Sequence, residues 1–170
     1  MVNRFFLIGL SFFLIISIVA YYLLGGFNSP HISTLSINKF ELSGIPFTGR
    51  SRSEGAEKAF FEAQGQLESH PGAYMVIVNY PSENEDEVNY FIGIMDEDTV
   101  EREGWESKTL NGFDGVVRIS FNKHNLVMPK PFRVLEIAED YAMKNNLQLL
   151  GYSIEKYIGE REIEINFPYQ

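Results

Sequence analysis

From Phe5 to Leu24 the chain runs twenty residues, FFLIGLSFFLIISIVAYYLL, without a single charge. At 1.5 Å per residue a helix of that length spans about 30 Å, the thickness of a bilayer's hydrocarbon core. The stretch is apolar all round, so it has no polar face to leave in water if it were packed in a soluble core. Residues 1–26 therefore read as an N-terminal membrane anchor. A cleavable signal has a shorter apolar region, and Tyr21 and Tyr22 stand where an interfacial aromatic belt would lie. Gly25 and Gly26 are small enough to keep a cleaved segment as the alternative. Arg4 and the amino terminus put positive charge on the short side, and the next basic residue is Lys39. That bias places the N-terminus in the cytoplasm and the rest of the chain across the membrane, periplasmic or extracellular.

With the anchor set aside, about 140 residues remain, enough for one domain with a real core and too few for two. With Arg4 also set aside, 13 basic side chains face 23 acidic ones. Such a surface repels phosphate backbones, so nucleic acid is not an expected partner. The sequence has no cysteine, which excludes disulfides, thiol catalysis and cysteine metal sites. His31, His70 and His124 are scattered, with no carboxylates at zinc-ligand spacing. No nucleophile elbow or phosphate loop is present. Glu83–Glu87 and Asp96–Asp98 are acidic but lack the regular calcium-loop spacing with its central glycine, so they read as solvated turns. No cofactor and no metal is expected.

Residues 27–34 hold Gly-flanked Asn, Ser and Pro and read as a tether; residues 35–170 read as the domain. Ser36–Leu42 alternates like a strand with one buried face. Ser51 and Glu54 have capping-box spacing, and a helix follows with Ala56, Ala59, Phe60, Ala63 and Leu67 on one side, stopped by His70-Pro71-Gly72. Tyr74–Tyr80 and Val88–Met95 read as two strands across a polar turn. After a linker from Asp96 to Asp114, the order repeats. Gly115–Phe121 reads as a strand, and Pro131 opens a helix with a stripe of Phe132, Leu135, Ala138 and Tyr141 or Ala142. Leu147–Tyr157 and Glu160–Tyr169 are the closing strands. Two β-α-β-β units of this kind predict an α+β domain: a duplicated, pseudo-twofold arrangement in one sheet, both helices on one face. Phe60 and Leu135 are expected to be buried against it.

The C-terminal stretch EDYAMKNNLQLLGYSIEKYIGEREIEINFPYQ is a helix, a strand entering through Gly151, a Glu155-x-Tyr157 step, and a strand closing on Phe167-Pro168. With Tyr90-Phe91-Ile92-Gly93 followed by acidic residues in the first half, this resembles the GyrI-like domain, the bacterial transcription activator effector-binding domain. The resemblance spans residues 35–169. It implies the SOUL/GyrI-like fold and a cleft for small, often cationic or aromatic molecules, with Glu155 facing the cleft and Tyr157 beside it, since residues i and i+2 of a strand share a face. No DNA-binding segment precedes the domain, so the regulatory role of fused members does not carry over; a membrane anchor stands there instead.

Trp105, Tyr90 and Tyr74 complete the candidate ligand-binding set with Glu155 and Tyr157. A carboxylate among aromatic rings attracts a cation, and ring faces add about 0.5–2 kcal/mol of cation–π attraction. Each has a plainer reading: Glu155 as a strand residue paired with Lys156 or Arg161, Trp105 as a plug under the sheet, the tyrosines as packing. The expected function is membrane-tethered, non-enzymatic small-molecule binding. Two alternatives stand beside it: a hydrolase on the same scaffold, with Glu155 and a tyrosine orienting water, and an acidic module recruiting a protein partner.

Overall fold

The computed structural model describes residues 4–51, 53–82, 84, 86–96 and 103–170. After helix α1 (Arg4–Leu23) come β1 (His31–Leu35), β2 (Lys39–Gly49), α2 (Glu54–Leu67), β3 (Tyr74–Tyr80), β4 (Val88–Met95), β5 (Glu106–Asn111), β6 (Gly115–Asn122), α3 (Pro131–Lys144), β7 (Ser153–Tyr157) and β8 (Glu162–Tyr169). The eight strands form one sheet in the order β1-β6-β8-β7-β3-β4-β2-β5, with every named pairing antiparallel. The α+β duplication is as expected: β2, β3 and β4 of the first unit mirror β6, β7 and β8 of the second about the central β3–β7 pair.

One further strand enlarges each unit beyond the sequence reading. Part of the segment read as tether is β1, and part of the linker is β5. They exchange: β1, which precedes β2, pairs with β6, while β5, which precedes β6, pairs with β2. Lying flat, β5 and β6 would be six strand spacings apart, roughly 29 Å. The chain from Asn111 to Gly115 reaches about 15 Å at most, and the Leu35–Lys39 connection is under the same limit. The sheet therefore curls until its two ends approach. The helix-free face is inside the curl, where Phe40, Leu42 and Leu110 from one end share a cluster with Phe113 and Val116 from the other.

Within β2 the chain changes partner. Lys39–Gly44 pairs with β5 and Ser43–Gly49 with β4. At the crossover Gly44 faces Gly93, and a methyl added at Gly93 would overlap the Ser43 carbonyl. Pro46 follows, where β2 has lost β5 and needs no donor on that side; this is why the strand continues past the sequence boundary at Leu42.

Both helices lie on the outer face, and the register shows it. Ile77, packed with α2, stands directly opposite Glu155, which stands directly opposite Ile165, packed with α3. The helices approach the sheet through small residues, Ala56, Ala59 and Ala63 from α2 and Val134, Ala138 and Ala142 from α3. Three expectations are corrected here. Leu135 is 41% exposed and Phe132 is also exposed, because α3 turns its Val134–Ala138–Ala142 stripe inward. Phe60 is half-buried rather than buried. The α2 cap is Ser53, whose hydroxyl accepts from the Ala56 N–H at 3.3 Å, not Ser51. Pro131 does open α3, and Asn145 ends it.

Helix α1 is long and apolar enough to cross a membrane: Phe5–Leu23 has a mean hydropathy of 2.4, and none of it is buried.

Candidate functional site

The centre of the outer face, between the two helices, is formed by β4, β3, β7 and β8, and their register sets side chains in rows. Tyr90, Asn79 and Ser153 form one row; Ile92, Ile77, Glu155 and Ile165 the next; Ile94, Met75, Tyr157 and Ile163 the third. A single carboxylate thus stands in an otherwise apolar row. Strand alternation alone puts Glu155 and Tyr157 on this face and Ile154 and Lys156 inside the curl.

Asn79 Nδ2 donates to Glu155 Oε1 at 2.7 Å, and the Tyr157 hydroxyl donates to Oε2 at 3.0 Å. Asn79 also reaches Ser153 Oγ at 3.4 Å. Burial raises the Glu155 carboxyl above the usual carboxylate range, and the two donors offset part of that rise. Burial and the neighbouring carboxylate push the Tyr157 phenol well up, and the same two causes raise Tyr90. No described lysine or arginine pairs with Glu155; the ion pairs among the described residues are Lys39–Glu41, Lys58–Glu62, Arg118–Glu164 and Arg133–Glu136.

A cleft of about 420 Å³ opens between α2 and the sheet; Glu155 is not among its lining residues but stands directly opposite Ile77, which is. Tyr90, Ile77 and Ile92 form its floor, Phe60 and Phe61 its helical wall, and Ser51 and Glu57 its polar rim. Phe60 and Phe61 meet edge to face at 6.1 Å, and Phe61 is 65% exposed. Trp105 packs on the same outer face, in the cluster of Ala59, Ala63, Met75 and Ile92 with Tyr90 and Tyr157.

Four of the five sequence-predicted residues, Glu155, Tyr157, Tyr90 and Trp105, therefore share one face. Tyr74 does not. Its parity on β3 sends it inside the curl, where Lys156 Nζ lies 3.7 Å from its ring centroid, and it has no place in the outer cleft. Asn79, Phe60 and Phe61 were missed as site residues. The acidic stretches fall partly outside the described residues, at 83, 85, 97 and 98.

Neither a family model nor a curated protein sequence matches this chain. Solved structures do. EcmrR in its complex with DNA is 15% identical with a TM-score of 0.58 over 92% of this chain and 65% of the EcmrR chain. SAV2435 bound to tetraphenylphosphonium is 12% identical, TM-score 0.51, over 84% of this chain and 94% of that one. A hydrolase from Listeria innocua is 8% identical, TM-score 0.56, over 88% and 98%. The chain thus spans 65% of EcmrR and nearly all of the other two. At these identities the likeness is one of fold, and that fold is consistent with the GyrI-like expectation.

Proposed function

We propose that this chain is a membrane-anchored domain that binds a small cationic, amphipathic molecule in the outer cleft without transforming it. In this reading α1 spans the bilayer with its N-terminus in the cytoplasm, residues 24–30 join it to β1 of the domain, and Glu155 supplies the counter-charge. The observation that carries it is the Glu155 carboxylate, desolvated beside Tyr90 and Tyr157 with no described cation to neutralise it. Burying such a charge unpaired is costly, so a site that keeps one favours a ligand that completes it. Glu57 on the rim adds negative charge, and the rings of Tyr90, Phe60 and Phe61 offer apolar and cation–π contact. SAV2435, of similar fold, was solved with tetraphenylphosphonium, a lipophilic cation of this description.

The test is calorimetric titration of the detergent-solubilised chain with tetraphenylphosphonium and with neutral triphenylphosphine oxide. Glu155→Gln keeps the shape and removes the charge, and should weaken the cation by about 2–4 kcal/mol while affecting the neutral compound far less. Equal losses, or none, would make Glu155 an ordinary strand residue.

The Glu155–Tyr157 hydrogen bond also favours a second reading, a hydrolase in which the pair orients water. Turnover of small electrophilic esters or epoxides that is abolished by Glu155→Gln would establish it.

A further inference from the structure

The end of α1 is fastened to the domain. Gly25, at φ +76°, terminates the helix, and the Gly26 N–H turns back to the Tyr21 carbonyl at 2.9 Å. Three bonds then hold this corner to the second unit. The His124 N–H donates to the Leu24 carbonyl at 2.9 Å, Asn28 Nδ2 to the Asn122 carbonyl at 2.8 Å, and Arg161 Nη1 to the Leu23 carbonyl at 3.4 Å. The last carbonyls of the apolar helix, its negative pole, thus meet an N–H and a guanidinium.

The segment gripping that corner, residues 123–133, runs from the end of β6 into the first turn of α3 and has an unusual composition for this chain. Residues 115–135 contain no acid, although the chain carries 23, and they hold Arg118, Lys123, Lys130, Arg133 and His124. Of these, Arg118 pairs with Glu164, and Lys123 is buried with its Nζ over the Phe121 ring. Lys130 and Arg133 remain exposed. Leu126 is 80% exposed on a single 3-10 turn, Asn125–Val127, and its N–H is held by His124 Nδ1 at 3.2 Å. Phe27 is 64% exposed, edge-on to Tyr21 at 4.9 Å, and Phe132 is exposed on the first turn of α3. Large apolar side chains, a short capped turn and basic residues therefore gather at the end of the domain where the apolar helix leaves it.

We propose that residues 123–133 form a second contact with the bilayer. Leu126 and Phe27 enter the boundary of the hydrocarbon beside α1, and Lys130 and Arg133 face the anionic headgroup surface, so the domain holds a fixed orientation on the membrane instead of swinging on a tether. The inference rests on the reading of α1 as a membrane span. Amphipathic surfaces that combine apolar and basic side chains bind the interface in this way. Glu136 pairs with Arg133 at 2.6 Å, and Glu160 and Glu162 flank Arg161 on the neighbouring turn. The electrostatic part therefore rests chiefly on Lys130, and the apolar side chains set the depth.

The absence of cysteine makes the test clean, since one introduced thiol labels one position. Full-length Leu126→Cys, Phe61→Cys and Ile16→Cys, each carrying an environment-sensitive fluorophore, are reconstituted into vesicles of neutral phosphatidylcholine or of phosphatidylcholine with phosphatidylglycerol. The label at Ile16 should report hydrocarbon and that at Phe61 water. The label at Leu126 should shift to shorter wavelength and be quenched by nitroxide lipids labelled near the headgroup. Adding Lys130→Gln should lower the inserted-to-free ratio at Leu126 about fivefold on the anionic vesicles and leave it unchanged on the neutral ones. Ile16 in hydrocarbon with Leu126 as wet as Phe61 would overturn the second contact while leaving the anchor standing. Ile16 in water would overturn the anchor, and this inference with it. A Lys130→Gln loss that ignores lipid charge would refute the attraction to anionic lipid.

Discussion

Glu155 is half-buried, accepts two hydrogen bonds and carries a carboxyl raised by burial, and from this its effect on stability has a definite sign. In the unfolded chain it titrates near about pH 4.3; in the folded chain it titrates higher. Between those values the folded state holds more protons, so stability falls as pH rises through the window, and the full penalty is present above it. Glu155→Gln should therefore raise the melting temperature at neutral pH, and the gain should vanish below about pH 4. Thermal melts across that range check it; a gain independent of pH would mean a solvated carboxylate. The pairing of Glu155 with Tyr157 was readable from the sequence because two-residue parity within a strand is a local property. Asn79 was not readable, since it meets Glu155 only through the β3–β7 register, 76 positions away. Tyr74 failed for the related reason that the face a strand residue takes depends on which residues of the next strand stand opposite.

At the scale of elements, α3 is instructive. Two stripes compete on it: Phe132–Leu135, larger and more apolar, and Val134–Ala138–Ala142, smaller. The smaller stripe faces the sheet, because β6 and β8 already present Val117, Ile119, Phe121, Ile165 and Phe167, and alanines let the helix lie close upon them. Counting apolar residues rewards the wrong stripe, since the choice is made by the space the sheet leaves. Ala138→Leu should cost about 1–3 kcal/mol by overpacking, whereas Leu135→Ala should change stability by less than about 1 kcal/mol; denaturant unfolding of both variants compares them. Strands β1 and β5 escaped for another reason. HISTL and ESKTLN are short and polar, and as sheet edges they need only one partner, so the decisive information lay in β6 and β2, the strands they join.

At the scale of the molecule, the exchange of β1 and β5 couples the units. Deleting residues 31–35 removes a strand from the second unit, although the deletion lies next to the first. Backbone hydrogen exchange should then speed up in β6 and β8 while β2 and β4 keep most of their protection; loss confined to β2 would contradict the observed pairing. The repeat of β-α-β-β was legible because it is written in periodicity, and the crossing of its first strands was not, because no local pattern encodes which unit a strand will join. The same crossing means that the covalent link between β4 and β5 is not what holds the units together. A chain cut between Asp96 and Glu103 would yield two pieces, each missing an edge strand that the other carries. Co-expressed, the pieces should find one another and rebuild the sheet, whereas either alone should be captured by chaperones or lost. Such reassembly would make the fold a split reporter, with the pairing of its halves written in two short strands.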